Sequence, residues 1–156
     1  MSKVVADQFR LPDDSLVFDQ TNILGAVSQV AGVPTGRIIE NGSNANGRYV
    51  RFADGTQVVW GSFSMGSIAS FGSGTLADPY RTSVFGWTYP VSFSGASPFV
   101  AHHARVGFTA ARGAVYITRN GALGLVSVEG LQAYRTSSVS NADEVTAHMM
   151  AIGRWF

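Results

Sequence analysis

The sequence predicts an all-β fold, an antiparallel β-sandwich. Three observations carry this. Short runs rich in aromatic and β-branched residues recur along the chain, and several alternate with the period of two that a half-buried strand requires. Turn signals separate the runs at regular intervals, at Asn46-Gly47, Asp54-Gly55, Gly95 to Pro98 and Asn120-Gly121. The stretch from Gly42 to Gly61 reads as a hairpin outright: RYVRF (Arg48 to Phe52), a short Ala53-Asp54-Gly55 turn, then TQVVW (Thr56 to Trp60). Asp-Gly suits such a turn because glycine accepts a positive φ without steric cost. Alternation sets Val50 and Phe52 on one face and Tyr49 and Arg51 on the other.

Taken in order, residues 1–35 carry weak signals. Leu11 to Ser15 is a turn or a helix start, and Ser15 to Asp19 a short strand. Ile23 to Val30 is apolar in places but is interrupted by Gly25 and followed by Gly32 and Pro34. The segment reads either as a strap on the main domain or as an extended anchor. Thr35 to Glu40 leads into the first hairpin. Ser62 to about Met65 continues as strand, followed by a Ser/Gly-rich loop to Val84, where Pro79 excludes a regular inner strand. Phe85 to Arg105 predicts a second hairpin: Trp87 to Phe93 alternates, Gly95 to Pro98 turns, and Phe99 to Val106 returns. Pro90 assigns the first of these strands an edge position or an unpaired N–H. Ala114 to Thr118 is a strand, Arg119-Asn120-Gly121 a turn, Ala122 to Val128 a strand broken by Gly124, and Leu131 to Thr136 another strand. Ser137 to Asp143 is a polar loop. Glu144 to Trp155 closes the chain. Its spacing fits a helix or a strand, and Gly153 with the terminal Trp155-Phe156 favours a strand.

Composition narrows the function. At 156 residues one domain is expected. The net charge is +1 with no basic stripe, which argues against nucleic acid. Ten of the eleven basic residues are Arg, and only 13% of residues are charged, against roughly a quarter in an ordinary soluble domain. A surface so poor in charge is covered by partners or kept wet by Ser, Thr, Asn and Gly. Absent cysteine excludes disulfides, zinc–thiolate sites and cysteine nucleophiles. No apolar run is long enough to span a membrane, and the N-terminus lacks the apolar core of a signal peptide.

Catalytic patterns are missing. There is no G-x-S-x-G, no phosphate loop and no H-E-x-x-H, and no signature marks a carboxylate pair, so no enzyme and no cofactor are expected. His102 and His103 are adjacent on a strand and point to opposite faces, so they do not share one ion. Three copies of one of them would need a trimer axis to meet, and no metal is predicted.

Two segments carry a resemblance. GSNANG with YVRFADGTQ (Gly42 to Gln57) resembles a segment of many bacteriophage tail-fibre and virion-fibre proteins, and MMAIGRWF (Met149 to Phe156) resembles the way many of them close. The region between is similar, more loosely, to the H-type lectin-like domain. The resemblance implies a sandwich fibre or spike domain at 36–156 that forms homotrimers. It implies an attachment segment at 1–35 that docks on other virion proteins of the capsid or tail. It further implies a location on the virion, after synthesis in the host cytoplasm, and a host cell-surface glycan as partner; the alternative is a purely structural head- or tail-decoration component with no glycan binding. A sugar is held by an aromatic face under its apolar side, with Arg or Asn bonding its hydroxyls. Trp87, Tyr89, Arg119, Asn120 and Tyr134 are the residues placed to supply this, Trp87 and Tyr89 also reading as core or trimer-interface residues.

Overall fold

The structure, a computed structural model, describes residues 23–106, 115–136 and 144–156, together with the strand backbone of Phe9–Arg10 and Leu16–Phe18. Every element named among the described residues is a strand. In chain order they are β1 (Phe9–Arg10), β2 (Leu16–Phe18), β3 (Gln29–Val30), β4 (Val33–Pro34), β5 (Ile39–Asn44), β6 (Gly47–Phe52) and β7 (Thr56–Ser67). There follow β8 (Tyr80–Arg81), β9 (Phe85–Thr88), β10 (Ser94–Val106), β11 (Val115–Arg119), β12 (Ser127–Arg135) and β13 (Glu144–Arg154).

Two antiparallel sheets make the sandwich. One has five strands in the order β10-β13-β7-β6-β5. The other has the order β11-β12-β8, with β9 also paired to β12. Their facing surfaces bury Val59, Met65, Val145, Ala147, Met149 and Ala151 from the first, and Trp87, Val128, Leu131 and Ala133 from the second. Each large apolar side chain buried in this way contributes about 1.5–3 kcal/mol.

The predicted first hairpin is present. Arg48 pairs with Trp60 and Arg51 with Gln57, and Gly55 sits at φ 93 in the turn. It is joined by a third strand that sequence patterning missed, since Gly42-Ser43-Asn44 belongs to β5 and turns through Ala45-Asn46 into β6. β7 runs unbroken from Thr56 to Ser67, two residues past Met65. It bends at one bulge where Gly66 pairs with Val145 and Ser64 with Thr146. The closing strand is confirmed: β13 lies between β7 and β10, and its alternate residues Val145, Ala147, Met149 and Ala151 enter the core.

Three expectations are corrected. Phe85 to Arg105 is not a hairpin. β9 pairs with β12 in one sheet and β10 with β13 in the other, so residues between them cross the sandwich. Pro90 ends the strand, and Tyr89 and Phe93 donate their backbone N–H groups to Val126 and Leu125. Gly95 to Pro98 is a bulge inside β10: Ser94 pairs with Arg154 and Phe99 with Ile152, leaving the four residues against Gly153. Second, Ala122 to Val126 is a folded loop. Gly124 N donates to Ser127 O at 2.9 Å and Glu129 N to Ala122 O at 2.9 Å, folding it on itself, while Leu125 O and Val126 O accept from the crossover. Strand β12 starts at Ser127 and passes through Gly130, which takes φ 68 and lies too close to Gly121 for any side chain. Third, the loop to Val84 contains a short strand, β8, directly after Pro79.

Residues 24–28 lie along the outer edge of β5. Leu24 bridges Ile39 in parallel, Gly25 N donates to Ile39 O at 2.9 Å, and Val27 N donates to Glu40 Oε2 at 3.0 Å. The chain then turns through Ala31 and Gly32 in the small β3–β4 hairpin. The expected loop at Ser137 to Asp143 and the expected turn or helix start at Leu11 to Ser15 lie outside the described residues, whereas the short strand expected at Ser15 to Asp19 is β2.

Candidate functional site

The two segments that carry the resemblance meet in space. Trp155 closes on the Asp54-Gly55 turn: its backbone N–H donates to Gly55 O at 3.0 Å, and its indole to Phe52 O at 2.8 Å. Arg51 lies with its guanidinium 5.6 Å from the Tyr49 ring centre and 5.7 Å from that of Trp155. Its Nε donates to Gln57 Oε1 at 2.7 Å, and Glu40 stands 3.8 Å away. Tyr49 donates its hydroxyl to Glu40 Oε1 at 3.0 Å. Burial, then this bond to the carboxylate, raises the Tyr49 phenol above its ordinary value. Gln57, fully buried, donates to the carbonyls of Val91 and Ser92 in the crossover. This network uses its polar atoms on one another, so it is a brace for the fold.

The other described carboxylates are engaged in the same spirit. Asp54 accepts from Thr56 N at 2.8 Å, which lowers its pKa and pins the turn. Asp78 pairs with Arg81 at 2.9 Å, and Arg81 with Ser73 lowers its pKa. Glu144 accepts from Ser64 at 2.7 Å. No group of three or more His, Cys, Asp or Glu able to hold a metal occurs among the described residues.

The sequence-predicted sugar site is not assembled. Trp87 is 2% exposed and Tyr89 3%. They meet edge to face at 5.0 Å inside the core, and the Trp87 indole donates to Asn46 O at 2.9 Å. Neither ring offers a face to a ligand. The reason is legible: Trp87, Tyr89 and Phe93 follow the alternation of one buried face. Arg119 and Asn120 are exposed at the end of β11, where Arg119 donates to Gly121 O at 3.2 Å. Tyr134 lies elsewhere, on the outer face of the smaller sheet, stacked on Tyr116 at 6.0 Å.

What the structure exposes is the outer face of the five-stranded sheet. Register aligns its side chains in rows across the strands. One row runs Ser43, Arg48, Trp60, Met150, Ala101, and the next Asn41, Val50, Val58, Ile152, Phe99. Trp60 is 39% exposed on the floor of a shallow pocket with Ser43, Asn44 and Arg48 at its sides. A second hollow on the same ring reaches Asn41. Arg48 is exposed. An indole face beside a guanidinium, a hydroxyl and an amide is the chemistry the sequence reading sought at Trp87. It sits at Trp60 because Val59, not Trp60, points into the core.

In fold the chain is similar to a solved structure of the P. aeruginosa R1 pyocin fiber comprising C-terminal residues 323–701. The TM-score is 0.50 at 20% sequence identity, and the match covers 74% of this chain and 28% of that one. The chain therefore corresponds to less than a third of that fragment. No protein-family model matches the chain, and no curated protein matches it.

Proposed function

We propose that the chain is a non-catalytic fibre or spike module of a phage or phage-tail-like particle, that it works as a homotrimer, and that it holds the particle to a polysaccharide on the host surface. The observation that carries this reading is the fold shared with a pyocin fibre fragment. The two fibre-like sequence segments, locked together at Gly55 and Trp155, support it from an independent side. The sandwich is then the recognition module, in the manner of an H-type lectin-like domain, and the N-terminal segment docks on a virion protein.

The proposed sugar platform is Trp60, with Arg48, Ser43 and Asn41 around it. An indole stacks under the apolar face of a pyranose, and the polar neighbours bond its hydroxyls. Such a site is weak alone, and three copies on one fibre raise avidity without new contacts. Exposed apolar side chains, Leu76 at 88%, Phe99 at 71% and Val84 at 68%, give association between copies a surface to bury. Closed cyclic symmetry is the usual outcome for such interfaces.

The test is binding of the purified protein to a glycan array and to surface polysaccharide from candidate hosts, beside adsorption of whole particles. Trp60→Ala and Arg48→Ala are expected to abolish binding while leaving the melting temperature in place. Light scattering is expected to give a trimer. Normal adsorption by particles that lack the chain altogether would overturn the recognition role.

A further inference from the structure

The pairing of β10 with β13 sets His103 directly opposite His148 on the outer face of the five-stranded sheet. Their ring centres are 6.1 Å apart with the planes tilted by 33°, and both residues are exposed. Ser62 follows in the same row on β7, its hydroxyl 2.8 Å from His148 Nδ1. The two rings line one shallow hollow that His102, Met149 and Met150 also border, Met150 standing one row along on the same face of β13.

We propose that His103 and His148 chelate one transition-metal ion, with Cu²⁺ preferred among the divalent first-row metals. Imidazole nitrogen is a good ligand for copper, nickel and zinc, and copper binds most tightly in the usual order of affinities. Metal–nitrogen bonds of about 2.0 Å at the right angle of tetragonal Cu²⁺ place two imidazole centres about 4.4 Å apart. The observed pair needs to close by about 1.7 Å, which side-chain rotation supplies on strands whose register already fixes the partners. Ser62 supplies orientation. When its hydroxyl accepts the proton on Nδ1 of His148, the lone pair lies on Nε2, free for the ion, as outer partners of metal-bound histidines commonly arrange. Met150 borders the same hollow, and copper sites accept a methionine as a weak, long axial ligand.

His102 is the built-in control. It is exposed and borders the same hollow, but register sets it opposite Met149, in the alternate row to His103. Strand alternation keeps its ring out of the pair.

The experiment titrates the full chain with Cu²⁺ in a non-coordinating buffer, read by calorimetry and by electron paramagnetic resonance. The wild type is expected to bind one ion per chain with hyperfine coupling to two imidazole nitrogens. H102N should behave as the wild type. H103N and H148N should each lose the site at unchanged melting temperature, and S62A should weaken it about tenfold. Wild-type binding by the H103N/H148N double variant would overturn the proposal. So would loss of the site in H102N, or a stoichiometry of one ion per three chains, which would place the ion on a symmetry axis.

Discussion

Replacing Tyr89 with Phe removes one oxygen from the core and leaves the packing in place. The ring lies edge-on to Trp87 at 5.0 Å and to Phe93 at 5.1 Å, contacts that phenylalanine retains. The hydroxyl is buried and has no hydrogen-bond partner among the described residues. Burying such a group unbonded costs about 1–3 kcal/mol. Tyr89→Phe should therefore stabilise the protein by about 1–2 kcal/mol near neutral pH, part of the gain being returned as a small void. At this chain length that is a rise of about 2–8 °C in melting temperature.

A pH signature separates this from generic repacking. Burial pushes the Tyr89 phenol up to about 12, with the charge of Arg119 acting weakly the other way. In the unfolded chain it titrates near about 10. Above that value the unfolded state gives up the proton while the folded state keeps it. This contribution to stability is therefore complete below about pH 10 and is lost as pH rises through about 12. At about pH 11 the loss is about 1.4 kcal/mol, and the phenylalanine variant escapes it. Urea unfolding of both proteins at about pH 7.5 and about pH 11 measures the two effects, and the other tyrosines cancel in the difference. A variant less stable than wild type by more than about 1 kcal/mol would show that the hydroxyl has a partner. Parallel pH dependence would show that it is not buried.

Three further outcomes are expected. Trp87→Ala should cost about 3–5 kcal/mol in urea unfolding, as for a core aromatic, whereas Trp60→Ala should cost under about 1 kcal/mol; equal costs would mean that the inner and outer faces of the sandwich are misassigned. Gly55→Val forces a β-branched residue to φ 93 and drives its Cβ into Arg154, so a loss of roughly 1–3 kcal/mol is expected, visible as a lower melting temperature. Gln57→Leu removes the partner of Arg51 Nε and of the Val91 and Ser92 carbonyls, so denaturant unfolding should show a loss of about 2–4 kcal/mol, and an unchanged midpoint would mean that water replaces the amide.

The parts of the fold that were legible in the sequence are local. The β6–β7 hairpin needs only alternation and a turn whose φ demands glycine, and both are written within a dozen or so residues. Between Phe85 and Val106 the same signals misled, because the choice of partner strand is not local. Pro90 marked a break, but nothing nearby says that the chain continues in the opposite sheet. The site followed the same division. Alternation sorted Val58 and Trp60 from Gln57 and Val59, yet which pair faces water depends on β13, far along the chain. Trp87 and Tyr89 drew attention as aromatics near turns, while their spacing with Phe93 already described a buried stripe. His103 and His148 become neighbours only through the β10–β13 register, which no short window of sequence contains.

The strap at residues 24–28 has a bearing on how copies of this chain coexist. A sheet ends in a row of unpaired amides and carbonyls, and a second molecule can continue it as one more strand. At the β10 side the four-residue bulge and Pro98 spoil that template. At the β5 side the chain's own strap takes the start of the rim, with Gly25 N donating to Ile39 O and Arg37 N to Ala26 O. At high local concentration an open rim stitches neighbours together at random. By covering the start of that edge itself, the chain shortens the backbone template open to another molecule and shifts its meeting surface toward side chains, which are specific.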